Sequence, residues 1–265
     1  MTLRIREATR DDFPAYVRLF VELAIDDDPG DAEKFAREMM PTTLLAERDG
    51  AAVGYAFYRV LDGNAHLGHL VSAPEARRTG VGRALIAETV RRATALGAKE
   101  IALNVKPANA NAIALYTSAG FVARETVTHL RAEWSVLDRL GPADFALAGE
   151  ARSFDPALDA AFEARFDLPR GLFEGQRRRG SYTLLAIGER AVAAFDPTFP
   201  GAYPFRAVDG AHARALLAAL RPYARPDKPF LNVSPGTSAE IVDALLALGA
   251  TVRFQTTKMV RRLDP

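Results

Sequence analysis

The sequence predicts a mixed α/β protein made of two similar halves. Two strand-like segments flank Asp49-Gly50, a dipeptide typical of tight hairpins. An apolar strand, a glycine-containing loop and a helical pattern then follow one another between Leu67 and Gly97. Short segments of the first half recur in the same order in the second half, which indicates a duplicated fold.

Length and composition set limits on the class of protein. The chain has 265 residues, of which 49% are hydrophobic and 25% charged, enough for one large globular domain or two of common size. A net charge of +1 argues against a general nucleic-acid binder. The lack of cysteine excludes a disulfide framework, a thiolate zinc site and a cysteine nucleophile, and no metal site is predicted.

The sequence carries no targeting signal that we recognise. Residues Met1–Arg6 have no apolar h-region, and no apolar run is long enough to span a bilayer. We therefore expect a cytoplasmic protein without a membrane partner.

The first elements follow from local patterns. Leu3–Arg6 alternates as a short strand, and Thr9 is placed to cap a helix whose apolar stripe begins at Phe13. The acidic run Asp26–Asp28 is expected to end this helix. A second helix is predicted over Asp31–Met40.

A meander of strands comes next. Thr43–Glu47 and Ala51–Val60 form the hairpin, and a third strand leads to Val71. Lys99–Val105 is the strand that follows the central helix.

A shorter helix and a long strand end the first half. The helix is predicted over Asn109–Ser118 and is closed by Gly120. Phe121–Arg131 alternates and is expected to be the last strand of the first half.

The segment Arg77–Ala84 has the properties of a phosphate-binding loop. The first turn of a helix offers unpaired N–H groups and the positive end of the helix dipole. Gly80 and Gly82 carry no Cβ, so an anion can approach the backbone. Three arginines add positive charge around it: Arg77, Arg78 and Arg83.

Two other phosphate loops are excluded by the same residues. A dinucleotide fingerprint requires a third glycine where this chain has Leu85. A P-loop requires Gly-Lys-Ser/Thr, which this segment lacks.

Two ordered motifs resemble the GNAT superfamily of acetyl-CoA-dependent N-acetyltransferases. The loop motif Arg/Gln-x-x-Gly-x-Gly/Ala is matched by Arg77, Gly80 and Gly82. The second motif, Asn-x-x-Ala-Ile-x-Leu-Tyr-x-x-x-Gly-Phe, is matched by Asn109, Ala112, Ile113, Leu115, Tyr116, Gly120 and Phe121. The resemblance covers residues 3 to 130.

The resemblance implies a GNAT fold, a mostly antiparallel mixed sheet with two splayed strands. Those strands would end near Val71 and Val105, with the pantetheine arm of acetyl-CoA in the gap between them. The residues that the resemblance assigns to the cofactor are Leu70, Val71, Ser72, Arg77, Arg78, Thr79, Gly80, Val81, Gly82, Arg83, Ala84, Asn109, Ala112 and Tyr116.

The resemblance also implies a reaction, direct attack of a primary amine of a small molecule or peptide on the thioester. Tyr116 matches the family's general acid, and a phenol is a suitable proton donor to a departing thiolate. A core tyrosine is the other interpretation of Tyr116, and Asn109 can act as a helix N-cap as well as a ligand.

The general base departs from the family pattern. Many members carry a glutamate six residues before the strand-end proline, and with Pro74 as that proline the position is Gly68. His69 and His66 lie on the same strand, and strict alternation puts them on opposite faces, so one at most faces the cleft. His69 is the preferred candidate, and a water chain to the backbone is the alternative.

The second half repeats the first without its motifs. The recurring segments are Thr43–Ala46 with Thr183–Ala186, Arg83–Ala87 with Arg214–Ala218, and Leu103–Val105 with Leu231–Val233. In the second half, the positions of Arg77, Gly80, Gly82, Asn109 and Tyr116 are occupied, in that order, by Val208, Ala211, Ala213, Ser238 and Leu245. We therefore predict a catalytic domain over residues 1–138 and a degenerate GNAT-like domain over 139–265. The second domain would pack on the first, line one side of the acceptor site or form a homodimer contact.

Two other functions fit the same residues. A non-catalytic acetyl-CoA-binding module could sense or regulate, although the presence of Tyr116 favours an enzyme. Tandem thiol-cofactor synthases such as mycothiol synthase resemble the chain in organisation, but they keep their active site in the second half.

Overall fold

The computed structural model describes residues 2–24, 28–61 and 63–263. The chain forms two compact units, unit 1 from Met1–Arg124 with Thr257–Pro265 and unit 2 from Glu125–Thr256. Most of the acidic run predicted to end the first helix lies outside the described residues. Within the described ranges no helix combines the length and apolarity that a membrane crossing requires.

Unit 1 has a sheet of five consecutive strands and a sixth from the end of the chain. The consecutive strands are β1 (Leu3–Glu7), β2 (Thr43–Arg48), β3 (Ala51–Leu61), β4 (Asn64–Ser72) and β5 (Glu100–Val105). Strands β1 to β4 are antiparallel neighbours in chain order, whereas β5 runs parallel to β4. The predicted meander, including the Asp49-Gly50 turn, is therefore confirmed.

The described residues of unit 1 form four α-helices. They are α1 (Phe13–Phe20), α2 (Ala32–Lys34), α3 (Val81–Ala95) and α4 (Ala110–Ser118). The predicted second helix is interrupted, because α2 continues as a π-helical turn over Phe35–Met39. Thr9 precedes a 3-10 turn, and both its amide and its hydroxyl donate to the Asp12 carboxylate.

Helices cover both faces of this sheet. A Cβ built on Gly54 would meet Val81 and Leu85, so this side of β3 faces α3. The ring of Tyr55, on the other side of β3, packs against Tyr16 of α1 at 5.2 Å. We call the second side the α1 face of unit 1.

Strand β4 contains a bulge at Gly68, which has no residue opposite it where the register with β3 shifts. Phe57 and Arg59, two residues apart in β3, lie opposite His69 and His66. Because residues two apart in a regular strand share a face, both histidines lie on the α1 face. The prediction that they lie on opposite faces is wrong, since the bulge shifts the alternation by one residue.

Unit 2 contains five helices and most of the remaining strands. The helices are α5 (Pro142–Ala148), α6 (Asp159–Arg165), α7 (Leu172–Arg179), α8 (Gly210–Leu220) and α9 (Ala239–Leu248). The strands are β6 (Val122–Glu133), β7 (Thr183–Ile187), β8 (Ala191–Asp196), β9 (Gly201–Ala207), β10 (Phe230–Val233) and β11 (Thr251–Arg262). Strands β6 and β11 each continue from one unit into the other.

Each unit receives a strand from the other half of the sequence. Residues Thr257–Arg262 of β11 pair with β5 in unit 1, and Leu130–Glu133 of β6 pair with β10 in unit 2. The predicted strand over Phe121–Arg131 therefore exists as β6 but pairs within unit 2. The boundaries between the two compact units consequently lie after Arg124 and after Thr256, whereas the predicted domain boundary lies after residue 138.

The repeat between the halves is in register in the helix but not in the first strand. Leu85 and Ile86 of α3 and their counterparts Leu216 and Leu217 of α8 are all buried. Ala46 lies opposite Gly54 and so faces α3, whereas Ala186 belongs to a core cluster separate from that of α8. The matching residues of the two strands therefore lie on opposite faces, so the strand repeat is out of register by an odd number of residues.

Candidate functional site

The loop before α3 depends on backbone conformations that favour glycine. Gly80 is the N-cap of α3 with φ of 91°, and Arg78 has φ of 65°. Both lie in the left-handed region, which a residue with a Cβ adopts at a cost. Thr79 holds the loop, because its hydroxyl donates to the Ala76 carbonyl at 2.7 Å and accepts from Arg48 at 3.0 Å.

Gly82 lies in the first turn of α3 for a different reason, which is space. A Cβ there would meet the Leu115 side chain at 3.0 Å, the Ser72 hydroxyl at 3.8 Å and the Leu70 side chain at 4.0 Å. The glycine therefore keeps open a narrow space bordered by α3, β4 and α4.

The first turn of α3 offers donors and positive charge. Ala84 donates its amide to Gly80 at 3.0 Å, whereas the amides of Gly82 and Arg83 have no acceptor among the residues that the structure describes. Arg78 and Arg83 are exposed and form no ion pair within the same residues. This combination attracts an anion.

Arg77 differs from the two other arginines of the loop. It forms an ion pair with Glu22, which lies just after α1. Arg77 was predicted to add positive charge together with Arg78 and Arg83, whereas in the structure its guanidinium is paired with a carboxylate.

Strands β4 and β5 separate as predicted. Their pairing ends at Leu67 with Leu103, although β4 continues to Ser72 and β5 to Val105. Residues Leu70, Val71 and Ser72 pair with β3 on one edge and have no strand on the other within the described chain. That edge can hydrogen-bond an extended ligand.

Asn109 is the N-cap of α4. Its side-chain oxygen accepts from the Ala112 amide at 3.1 Å, as the capping interpretation expected. The amide nitrogen of the exposed side chain is not used in this contact, so capping and ligand binding are compatible.

Tyr116 is buried in α4, and its ring packs edge-on against Phe121 at 5.9 Å. Burial raises the pKa of its phenol to about 12, so the hydroxyl is protonated at neutral pH. Among the described residues this hydroxyl forms no hydrogen bond. Its oxygen is also not one of the side-chain atoms that are shut off from solvent and left without a partner. It is therefore available to a ligand.

His69 lies in an aromatic environment on the α1 face. Its ring contacts Phe57 at 5.4 Å and Phe20 at 5.6 Å, and its Nδ1 lies 3.2 Å from the Tyr55 hydroxyl. Burial, followed by the charge of Arg59, lowers the pKa of His69 to about 4. The imidazole is neutral at neutral pH.

The family's glutamate position, Gly68, is exposed but close to the ring of Phe57. A Cβ on Gly68 would lie 3.0 Å from that ring, so the ring would have to shift slightly. The missing glutamate is visible in the sequence, whereas the neighbouring Phe57 is not, because strand register brings Phe57 and Gly68 together.

The corresponding helix of unit 2 begins differently. Asp209 caps α8 by accepting from the His212 amide at 2.8 Å, and Glu240 accepts from the Gly210 amide at 3.1 Å. Two carboxylates therefore satisfy amides at the start of α8 and place negative charge there.

The gap of unit 2 is also occupied. Strand β9 pairs with β10 only through Gly201 and Ala202. Beyond them, the Arg206 guanidinium donates to the Ser234 carbonyl at 2.8 Å and lies against Gly236.

Comparisons with known proteins agree with this geometry. The sequence profile of the Acetyltransferase (GNAT) family matches residues 3–121. A GCN5-related N-acetyltransferase from Sphaerobacter thermophilus is similar in fold, with a TM-score of 0.69 and 18% identity over 99% of this chain and 96% of that one. One from Kribbella flavida has a TM-score of 0.63 and 18% identity over 99% of this chain and 72% of that one.

A shorter protein matches part of the chain. The ribosomal-protein-alanine N-acetyltransferase from Brucella melitensis is 31% identical over 47% of this chain and 88% of its own, with a TM-score of 0.41. No curated protein matches the sequence. Residues 3–121, with their glycine loop and separated strands, therefore form a domain of the GNAT family of acetyltransferases.

Proposed function

We propose that the protein transfers an acetyl group from acetyl-CoA to a primary amine by direct attack, within unit 1. The observation that carries this proposal is the pairing of two features at one place. The open first turn of α3 at Gly82 borders the free edge of β4 at Leu70 and Ser72. A pyrophosphate fits the first feature and an extended amide-containing arm fits the second.

The binding roles follow from these contacts. The amides of Gly82 and Arg83 bind the pyrophosphate, and Arg78 and Arg83 add positive charge. The free edge of Leu70–Ser72 pairs with the pantetheine arm, and Asn109 donates its side-chain amide to the same arm.

The chemical step requires one proton to be removed and one to be supplied. The amine nitrogen attacks the carbonyl carbon, the carbon–sulfur bond breaks, and the Tyr116 hydroxyl gives its proton to the sulfur. The raised pKa of Tyr116 keeps the hydroxyl protonated, so that it can donate to the departing sulfur, although it also makes the phenol a weaker acid than a thiol.

His69 is our candidate for proton removal. Its lowered pKa keeps the imidazole unprotonated but makes it a weak base, so it accepts the proton only as the nitrogen bonds to the carbonyl carbon and becomes acidic, and then passes it to water. Most of the rate enhancement is expected from positioning, since effective molarities supply roughly 7–11 kcal/mol.

We further propose that unit 2 does not bind acetyl-CoA. The carboxylates of Asp209 and Glu240 at the start of α8 support this, as does Arg206 in the gap beside β9.

The test is coenzyme A release over a panel of primary amines and peptide N-termini, with acetyl-CoA binding measured by calorimetry. We expect release with at least one amine and loss of that release in Tyr116→Phe, with binding retained. Tight binding without release above the Tyr116→Phe level for any amine would instead identify a non-catalytic binding module.

A further inference from the structure

His69 lies on the part of β4 that has separated from β5, since the pairing of the two strands ends at Leu67. Its Nδ1 lies beside the Tyr55 hydroxyl, whereas its Nε2 has no hydrogen-bond partner in the described chain. Nor is Nε2 one of the side-chain atoms that are both shut off from solvent and without a partner. This nitrogen therefore reaches solvent at the side of the gap, where an acceptor amine can approach it.

The side chains in contact with His69 carry no negative charge. The rings of Phe20 and Phe57 pack on the imidazole, and its third neighbour is the Tyr55 phenol. Burial raises the pKa of Tyr55 well above its ordinary value, so this hydroxyl keeps its proton. The immediate surroundings of the imidazole are therefore aromatic and neutral.

Gly68 leaves the strand without a carboxylate at the position where the family resemblance expects a glutamate. The residue is exposed, and the three atoms nearest to a Cβ built on it all belong to Phe57. Because Phe57 lies opposite His69, this Cβ would project toward the α1 face, next to the imidazole. A glutamate at position 68 would therefore lie beside His69, where this chain has only a hydrogen atom.

Two carboxylates on neighbouring elements are engaged elsewhere. Glu22, just after α1, forms an ion pair with Arg77. Glu38, in the π-helical turn after α2, accepts a hydrogen bond from Arg37 at 2.8 Å. Among the residues that the structure describes, no carboxylate forms a hydrogen bond or an ion pair with His69, whose polar partner is Tyr55.

The imidazole of His69 is a poor acceptor for the proton of an ammonium ion. Burial first, and then the nearby Arg59 and His66, lower its pKa to about 4. The ammonium form of an α-amino group has a pKa of about 8, and that of a lysine side chain about 10.4. Proton transfer from either ammonium to the imidazole is therefore unfavourable, and an amine that arrives protonated stays unreactive.

We propose that the acceptor binds as the free amine and belongs to the amines that are substantially unprotonated at neutral pH, namely α-amino groups of peptides or amino-acid amides. This inference rests on the proposed function and names its substrate class. At pH 7.5 about a third of an α-amino group is free amine, against about 0.1% of a lysine-type amine. A site with a carboxylate beside the thioester can bind and deprotonate the abundant ammonium form, whereas this site uses the fraction that is already deprotonated.

The protons of the proposed step balance without a stronger base. The free amine bonds to the carbonyl carbon, the carbon–sulfur bond breaks, and the sulfur receives the Tyr116 proton. The nitrogen becomes acidic as this bond forms, and its proton then passes through Nε2 of His69 to water. Solvent returns a proton to Tyr116 for the next cycle.

The first experiment compares two isomers of acetylated lysinamide in a coenzyme A release assay with saturating acetyl-CoA. Nε-acetyl-lysinamide offers only its α-amino group, and Nα-acetyl-lysinamide offers only its side-chain amine. We expect kcat/KM at pH 7.5 to be about 10-fold or more higher for the α-amino isomer, because the roughly 200-fold difference in free amine exceeds the greater reactivity of the more basic nitrogen. The ratio should fall as the pH is raised, since kcat/KM for each isomer levels off at the pKa of its own ammonium group.

The second experiment adds a carboxylate with Gly68→Glu and uses Gly68→Gln, of the same shape without the charge, as the matched control. The position is exposed, so either side chain requires only a slight shift of the Phe57 ring, and circular dichroism checks the fold. Compared with Gly68→Gln, Gly68→Glu should raise kcat/KM for the side-chain amine about 10-fold and for the α-amino isomer much less. The added carboxylate binds the ammonium form and raises the basicity of His69.

The outcomes separate the two proposals. Release that is led by α-amino compounds at pH 7.5 supports this inference. Equal acetylation of the two isomers at that pH, or release confined to amines of high pKa, overturns it and leaves the acetyltransferase intact. Equal selectivity of Gly68→Glu and Gly68→Gln does the same. A lack of release with every amine overturns the proposed function, and this inference with it.

Discussion

The helices α3 and α8 occupy corresponding places in the two units, yet their first turns differ in chemistry. The first turn of α3 has unpaired amides at Gly82 and Arg83 next to exposed arginines. The first turn of α8 is satisfied by Asp209 and Glu240. The amides in the first turn of a helix can bind an anion or be capped by side chains of the protein, and the neighbouring residues determine which of the two occurs.

The strand gaps differ in the same way. In unit 1 the free edge of β4 faces a space that Gly82 keeps open. In unit 2 the side chain of Arg206, a residue of β9, donates to the Ser234 carbonyl just after β10. The corresponding place in unit 2 is therefore taken up by a side chain of the protein itself, which supports the proposal that unit 2 does not bind acetyl-CoA.

The largest expected effect concerns Tyr116, whose counterpart in unit 2 is Leu245. In Tyr116→Phe we expect kcat to fall about 10²–10⁴-fold because the thiolate loses its proton donor. The Kd for acetyl-CoA should stay within about twofold, since the ring remains packed on Phe121. Leu245→Met is the matched control, and steady-state kinetics with calorimetry measure both. An unchanged kcat would contradict the role of Tyr116.

The next effect concerns the space beside Gly82. Gly82→Val would place atoms against Leu115 and fill the space bordered by α3, β4 and α4. We therefore expect acetyl-CoA affinity to fall about 100-fold or more. Ala211→Val, at an exposed position of α8, should have no effect on binding. Circular dichroism checks the fold of both variants, and normal binding by a folded Gly82→Val protein would refute the assigned site.

A third prediction concerns acid stability of unit 1. Because the pKa of His69 is about 4 in the folded protein and its ordinary value is 6.5, the unfolded chain takes up a proton first as the pH falls. The free energy of unfolding should decrease between pH 6.5 and 4 by at most about 3 kcal/mol from this group. Urea unfolding of the wild type and His69→Asn at pH 7 and 4.5 measures it. Equal losses in both proteins would exclude this contribution.

The closed helix start of unit 2 gives a fourth prediction. Asp209→Ala should lower the free energy of unfolding by about 1 kcal/mol, because the N-cap of α8 is lost. It should create no acetyl-CoA binding at unit 2, even when combined with Glu240→Gln, since Arg206 still fills the gap. Asp243→Ala, on the exposed side of α9, is the stability control. A second binding event in calorimetry would overturn the comparison.

The smallest effect concerns the exposed arginines of the α3 loop. Arg78→Gln and Arg83→Gln should each raise the Kd for acetyl-CoA about 2–5-fold at low salt, and less at high salt, because exposed charges are screened. Arg91→Gln is the control, since it lies farther along α3 and pairs with Glu88. A salt-independent change would point to a contact other than charge.

Local signals in the sequence predicted much of unit 1. Gly80 and Asn109 act through nearby backbone, so the loop, the helix starts and the caps could be placed without tertiary information. The space that Gly82 keeps open depends instead on Leu115 and Leu70, which only the fold brings close to it. The hairpin at Asp49-Gly50 is local for the same reason.

Features that depend on pairing between distant strands could not be predicted in this way. The bulge at Gly68 reverses the alternation of β4, and nothing in the residues around it specifies which one is left unpaired. The packing of Phe57 over Gly68 and the pairing of β11 with β5 likewise require the strand register. The alternation of β6 and β11 identifies strands but not their partners.

The exchanged strand has a consequence for how the molecule is made. Residues Thr257–Arg262 complete unit 1 by pairing with Glu100–Val105, more than 150 positions earlier in the chain. During synthesis residue 262 must therefore leave the ribosome before β5 gains this neighbour in full, and pairings of such long sequence separation form slowly. Until then the outer edge of β5, in the unit that bears the proposed chemistry, is unprotected.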